Sequence, residues 1–172
     1  MVMMNLFISL SLKLFFLLTP FFVLSVFLSM TEHLTKAEQR RVAVRTTMSV
    51  MVIGLVLYFA GNPIFSTLGI TLDGFRIGAG SLLFLSAVSL VSGKKSSQEA
   101  TPDVDFAVVP LAIPITVGPA SIGTLLILGA ELGGTTERLI GAAALICSCL
   151  CVGLLLGSAR VLKKVLGSVG LS

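Results

Sequence analysis

Tryptophan is absent from this chain of 172 residues, and tyrosine occurs once. Proteins that bind single-stranded nucleic acid stack bases on aromatic side chains, so this class is disfavoured and no nucleic-acid partner is predicted. Charged residues are also scarce, at 12%, whereas soluble domains have about twice that share. Hydrophobic residues make up 55% of the chain and the mean hydropathy is +1.06. This composition predicts one domain whose main partner is a lipid bilayer.

Side chains that carry enzymatic chemistry are few. Histidine occurs once, and the three cysteines share one apolar segment in which no His, Asp or Glu completes a metal site: Cys147, Cys149 and Cys151. Small packing residues are the simpler interpretation of these cysteines. The apolar segments contain no paired carboxylates and no nucleophile beside a base. The sequence therefore predicts no enzyme, no catalytic residue, no metal site and no cofactor.

Long apolar runs are what the chain does contain. Five can be drawn, at about 6–30, 46–61, 75–92, 106–130 and 139–159. Each is near the roughly 20 residues that a helix needs to cross the hydrocarbon core. We therefore predict an all-α membrane protein with five transmembrane helices. Glycines in these segments are predicted to form helix-contact surfaces, because small residues let helices approach closely: Gly74, Gly78, Gly80, Gly153 and Gly157.

The basic residues alternate between the two sides of the predicted membrane helices. They follow the first, third and fifth segments, at Lys36, Arg40, Arg41, Arg45, Lys94, Lys95, Arg160, Lys163 and Lys164. The turns at 62–74 and 131–138 contain few bases. Because cytoplasmic loops are rich in Lys and Arg, this pattern predicts an N-terminus outside and a cytoplasmic C-terminus. The predicted location is the bacterial cytoplasmic (inner) membrane.

The fourth segment is apolar but interrupted. Residues 109–128 read VPLAIPITVGPASIGTLLIL and include Pro110, Pro114 and Pro119. Proline removes a backbone donor and clashes with the preceding turn, so a helix should break or kink here. Broken backbone at membrane depth persists only where protein buries it or where it lines a wet cavity. The segment is therefore either a binding site or a packing kink.

A weak internal repeat relates the two halves of the chain. An offset of 99 positions sets Pro20 on Pro119 and Glu32 on Glu131, and it carries the second segment onto the fifth. The repeat predicts an inverted 3+3 arrangement with units at 1–93 and 106–172, joined by a cytoplasmic linker at 94–105. The counterpart of the third segment would begin near position 174, so a sixth helix is expected to be missing. Either a truncated gene model or a real five-helix protein would account for this.

Two motifs give the chain a family resemblance. VPLAIPITVGPASI at 109–122 resembles the VPLAIPLxAGPGxI signature of the MarC family of bacterial integral membrane proteins, and GITLDGFRIGAGSLLF at 69–84 resembles its GISxxxFRIAGGxLLF segment. The resemblance implies a six-helix membrane protein, with some relatives linked to the transport of small neutral amino acids. One departure stands out. The family has Asn-Pro or Asp-Pro followed by Gly in its first helix, whereas this chain has Thr19-Pro20-Phe21-Phe22.

The candidate site is where the two interrupted segments would meet. The helix that begins near Ala120 would direct its amides at an anionic group such as a carboxylate. No buried carboxylate is available for a charged solute, which favours small neutral or zwitterionic solutes and leaves Na⁺ or H⁺ open as the coupling ion. The predicted substrate-binding residues are Thr19, Pro20, Ser25, Pro114, Thr116, Gly118, Pro119, Ser121 and Thr124.

Two functions follow from these observations. The first is a secondary transporter for small neutral amino acids, which the Pro-Gly signature favours. The alternative is a truncated or non-transporting remnant or accessory protein, which the altered Thr19-Pro20 stretch and the missing helix favour. A homo-oligomer is compatible with both.

Overall fold

The regular structure in the described part of the chain is helical. A computed structural model describes residues 2–91 and 118–159, and it contains α1 (Val2–Leu17), α2 (Pro20–Met30), α3 (Lys36–Leu68), α4 (Leu72–Val91), α5 (Pro119–Glu131) and α6 (Thr135–Gly157). The prediction of an all-α protein is thereby confirmed for these residues. The predicted linker at 94–105 lies outside them, and the division into two repeat units stays a prediction.

The first apolar segment is broken where the sequence places Pro20. Helices α1 and α2 are bent by 41° relative to each other across Leu18 and Thr19. Pro20 occupies the first turn of α2, where its missing N–H costs nothing because that amide has no partner within the helix. Thr19 turns the chain with φ 46° and ψ 56°, in the left-handed region. Local chemistry at two residues thus divides one apolar run into two helices.

Helix α3 begins earlier than its apolar part. Thr35 and Glu38 form a capping box, in which the Glu38 carboxylate accepts from the Thr35 amide at 2.8 Å and the Thr35 hydroxyl accepts from the Glu38 amide at 3.3 Å. Residues 36–45, whose bases lie between the first and second apolar segments of the sequence, therefore form the first turns of the helix. Lysine and arginine are good helix formers, which agrees with this position. The helix runs through Pro63 to Leu68 and is capped by Gly69, whose φ of 64° suits glycine.

Several helices meet the requirements for crossing a bilayer. In the part of the chain that the structure describes, α3 over Lys36–Gly61 and α6 over Thr135–Gly157 are long and apolar enough, and the bent pair α1–α2 makes a third span if it is counted as one. Large apolar side chains face outward on these and other helices, such as Ile77 at 71% and Leu154 at 74% exposure. Such a surface suits lipid and not water.

The helices pack in an order that places α1 against α6. Helix α3 contacts both α5 and α6, and α4 contacts α5. The core between them is formed by large side chains that are almost fully buried, among them Leu14, Phe27, Tyr58, Leu125 and Leu145. A Cβ on Gly61 would overlap the Leu126 carbonyl, and one on Gly129 would overlap the Tyr58 carbonyl. Helices α3 and α5 therefore touch backbone to backbone at these two positions.

The predicted helix-contact glycines have mixed outcomes. Gly153 of α6 packs against Thr47 of α3, where an added Cβ would lie 2.6 Å from the Thr47 hydroxyl, and this prediction is confirmed. An added Cβ at Gly78, Gly80 or Gly157 meets no described atom within 4 Å, and one at Gly74 meets only Thr71 of the same helix region. The contacts fall instead on Gly61, Gly129 and Gly141, because helix rotation decides which small residues face a neighbour.

Candidate functional site

The end of α1 and the beginning of α5 meet in the structure. The Ser121 hydroxyl donates to the Leu17 carbonyl at 3.4 Å, although the two residues are 104 positions apart in the chain. Ser121 lies in the first turn of α5 and is only 2% exposed. We refer to residues 17–20 and 118–121 as the junction. It includes the two prolines that the repeat aligns, Pro20 and Pro119.

In the first part of the junction, residues 17–20, α1 ends in a tight turn and α2 begins without a side-chain cap. The Thr19 amide donates to the Phe16 carbonyl at 3.0 Å, which closes the last turn of α1. The Thr19 carbonyl accepts from the Val23 amide at 3.0 Å, but the Thr19 side chain makes no capping hydrogen bond. Amides at an uncapped helix start are available to water or to a ligand.

In the second part of the junction, residues 118–121, α5 also begins without a side-chain cap. Gly118 is extended, with φ −79° and ψ 179°, and its carbonyl accepts from the Ile122 amide at 3.0 Å. Pro119 occupies the first turn. The N-terminal end of each helix carries a partial positive charge, so the start of α5, like that of α2, favours an anionic group. A carboxylate is the simplest group of that kind on a small solute.

Five of the predicted site residues lie in the junction. Thr19 is exposed, Pro20 and Ser121 are buried, and Gly118 is half-buried. Pro119 is placed by its backbone as the first residue of α5. That these residues bind substrate stays a prediction; the observed link between the two ranges is the hydrogen bond from Ser121 to Leu17.

The other predicted residues fall elsewhere. Ser25 on α2 and Thr124 on α5 lie outside the residue ranges of the junction, and both are exposed. Pro114 and Thr116 lie outside the described residues. Gly123, which the sequence places beside the junction, serves helix packing instead, because a Cβ added there would lie 3.3 Å from the Ala79 methyl group of α4.

The electrostatics of the buried regions are neutral. None of the charged side chains within residues 2–91 and 118–159 is buried, although Arg138 is half-buried. The buried polar side chains over the same ranges carry hydroxyl or amide groups: Thr31, Gln39, Thr46, Ser121 and Ser148. Within this described part, no three His, Cys, Asp or Glu side chains are grouped to hold a metal ion. The junction can therefore bind through hydrogen bonds and helix dipoles.

Two interactions were not foreseen from the sequence. The Leu17 carbonyl belongs to an apolar residue, so no side-chain signal marks it. Arg76 of α4 forms ion pairs with Asp73 at 2.8 Å and with Glu131 at the end of α5. The spacing of Asp73 and Arg76 suggests the first pair, whereas only the packing of α4 on α5 reveals the second. The pair with Glu131 joins α4 to the C-terminal end of α5.

Comparisons with known proteins give a consistent result. The model of the MarC family, described as "MarC family integral membrane protein", matches residues 4–172. The "UPF0056 membrane protein" of Aquifex aeolicus is 32% identical over 151 residues, which cover 83% of this chain and 69% of the relative. The "UPF0056 membrane protein MJ1677" of Methanocaldococcus jannaschii is 30% identical over 166 residues, covering 92% and 81%.

A further relative is the "UPF0056 inner membrane protein YhgN" of Escherichia coli, which is 30% identical over 144 residues, covering 83% of this chain and 73% of the relative. Across the relatives compared, the aligned region spans from 58% to 84% of the relative's own length. No solved structure matches the chain significantly.

Proposed function

Because the chain belongs to the MarC family of integral membrane proteins, we propose that it is a multi-pass secondary transporter of small neutral amino acids or similar small solutes. The observation that carries the proposal is the hydrogen bond from the Ser121 hydroxyl to the Leu17 carbonyl. It joins a helix break in the first half of the chain to a proline-led helix start in the second. Helix breaks that meet within a membrane protein are typical of transporter substrate sites.

The packing of the helices supports the inverted repeat that the proposal includes. By the offset of 99 positions, α2 corresponds to α5, and α3 corresponds to α6. Helix α5 packs against α3, and α2 contacts α6. Each proline-led helix thus contacts the long helix of the other half, as the repeat requires. The five-helix arrangement remains part of this proposal.

The chemistry of the junction favours a zwitterionic solute. The uncapped starts of α2 and α5 suit a carboxylate, and carbonyls at the end of α1 suit an ammonium group or Na⁺. No charged side chain in the described ranges is buried to bind a charged side chain of the solute. We therefore propose glycine, alanine and similar solutes, with Na⁺ or H⁺ as the coupling ion, and no enzymatic activity.

Counterflow in proteoliposomes tests this proposal. The wild-type protein, reconstituted and loaded with unlabelled alanine or glycine, should accumulate the labelled solute above protein-free liposomes. Ser121→Ala removes the hydroxyl that joins α5 to α1, and we expect exchange to fall about tenfold, which is the cost of roughly one hydrogen bond. Ser81→Ala is the matched control, because Ser81 is exposed on α4 and bonds only its own helix, to the Ile77 carbonyl at 2.8 Å. Equal exchange by the two variants would contradict the role of the junction.

The altered first-helix stretch favours a second candidate, a non-transporting membrane protein. Where the family signature has Asn or Asp, Pro and Gly, this chain has Thr19, Pro20 and Phe21. Wild-type protein that exchanges no neutral amino acid, with exchange gained on Thr19→Asn combined with Phe21→Gly, would support this candidate. Exchange by the wild-type protein would exclude it.

A further inference from the structure

A groove runs between the beginning of α3 and the end of α6. Its volume is about 670 Å³, which is within the range of small-molecule pockets. The groove is lined by Val44, Thr47 and Met48 of α3 and by Gly153, Leu154 and Gly157 of α6. None of these residues belongs to the junction, so the groove is separate from the proposed substrate site.

Glycine gives the groove its shape. At Gly153 the two helices touch, since an added Cβ would lie 2.6 Å from the Thr47 hydroxyl oxygen. One turn further along α6, an added Cβ at Gly157 would meet no described atom within 4 Å, so the groove is open there. The Thr47 hydroxyl donates to the Ala43 carbonyl of its own helix at 2.8 Å. The Thr47 hydroxyl is therefore already hydrogen-bonded, and the walls of the groove are effectively apolar.

The mouth of the groove is positively charged. Arg40 lines the groove and also lines a neighbouring notch of about 450 Å³, together with Arg41 and Arg45. All three arginines are exposed, and no acidic side chain lines either cavity. Glu38 lies in the same turn of α3, but its carboxylate accepts hydrogen bonds from the Thr35 amide and hydroxyl and is therefore engaged in the helix cap.

An apolar groove that opens onto clustered arginines has the chemistry of a phospholipid site. Arginine binds phosphate oxygens through paired N–H donors, and its aliphatic stem tolerates the apolar boundary of a bilayer. Basic pockets between membrane helices are suited to anionic head groups. We propose that one anionic phospholipid binds here, with its phosphate at Arg40 and Arg41 and an acyl chain along Val44, Gly153 and Gly157.

Native mass spectrometry of the full chain in detergent tests this site with defined lipids. Phosphatidylglycerol should be retained in preference to zwitterionic phosphatidylcholine. Arg40→Gln combined with Arg41→Gln should weaken phosphatidylglycerol binding by more than about fivefold, the contribution of roughly one basic residue at a lipid surface. Lys36→Gln is the charge control, since Lys36 is exposed on the same helix but lines neither cavity.

A second variant tests the acyl groove. Gly157→Leu places a side chain in the open part of the groove and should reduce phosphatidylglycerol binding, whereas Ala143→Leu, at an exposed position elsewhere on α6, should not. Unchanged thermal unfolding shows that the variants fold. The proposal is overturned if both lipids bind equally, if inorganic phosphate alone displaces the lipid at equal concentration, or if Gly157→Leu dissociates a dimer without changing lipid binding.

Discussion

At the scale of single residues, Thr19 links the backbone to the family signature. It is the non-glycine residue with positive φ among the described residues, at 46°. The left-handed region costs roughly 1–2 kcal/mol for an ordinary residue, and a β-branched side chain suits it poorly. Asparagine and aspartate tolerate this conformation. The Asn-Pro or Asp-Pro of the MarC signature therefore fits the geometry of the break better than the Thr-Pro of this chain.

Replacing Thr19 tests this account of the break. Thr19→Asn should raise the free energy of unfolding by about 1 kcal/mol, because asparagine relieves part of the backbone strain. The measurement is reversible unfolding in detergent. Thr35→Asn is the matched control: Thr35 has φ −66° at the N-cap of α3, where asparagine and threonine are both good caps, and its stability should change little. Equal effects of the two substitutions would disprove strain at Thr19.

At the scale of helices, α3 and α5 cross with their backbones in contact. Gly61 and Gly129 each face a carbonyl of the other helix, those of Leu126 and Tyr58. Small residues at a crossing let two backbones pack closely within a membrane, where burial of apolar surface gives little driving force. This crossing holds α5 in place, and its first turn carries Ser121 to the Leu17 carbonyl.

A single methyl group should disturb that crossing. Gly129→Ala forces α5 away from the Tyr58 carbonyl and should lower the free energy of unfolding by about 2 kcal/mol, as overpacking of a close contact does. Gly78→Ala on α4 meets no described atom and should be neutral or slightly stabilising, since alanine is the better helix former. Unfolding in detergent measures both, and similar stabilities for the two variants would show that the backbones do not touch.

At the scale of the whole molecule, the distribution of charge predicts an orientation in the membrane. The exposed basic side chains at the beginning of α3 lie at one end of that helix. Gly133 is exposed in the turn that joins α5 to α6, at the end of these two helices that lies away from the beginning of α3. The positive-inside rule assigns the first end to the cytoplasm. The orientation of the termini stays a prediction of the sequence.

Single-cysteine labelling checks the orientation. In a background where Cys147, Cys149 and Cys151 are replaced by alanine, Lys36→Cys should react with a membrane-impermeant maleimide only in inside-out vesicles. Gly133→Cys should react in intact cells, because it is predicted to face the outside. The reverse pattern would invert the proposed topology.

Some features of this structure could be predicted from the sequence because they depend on composition and on local chemistry. The scarcity of charge predicts a helical membrane protein, and the family model supports this over residues 4–172. Proline has no amide hydrogen to give, so Pro20 and Pro119 determine where α2 and α5 begin. Composition and proline geometry act within a few residues, which is why they can be predicted without a fold. The second apolar segment is predicted to begin at about 46, whereas α3 begins at Lys36, although the capping residues Thr35 and Glu38 are visible in the sequence.

Only the tertiary structure decided which of these features meet. The hydrogen bond between Ser121 and Leu17 spans 104 positions, and the pairing of Arg76 with Glu131 joins two separate helices. Gly61 and Gly129 contact a neighbour, whereas Gly78 and Gly80 do not. Each outcome depends on the rotation and crossing of whole helices, which are determined by the sum of many weak packing contacts. No local sequence pattern contains that sum. The sequence therefore shows where both prolines lie along the chain, but not that the end of α1 and the beginning of α5 contact each other.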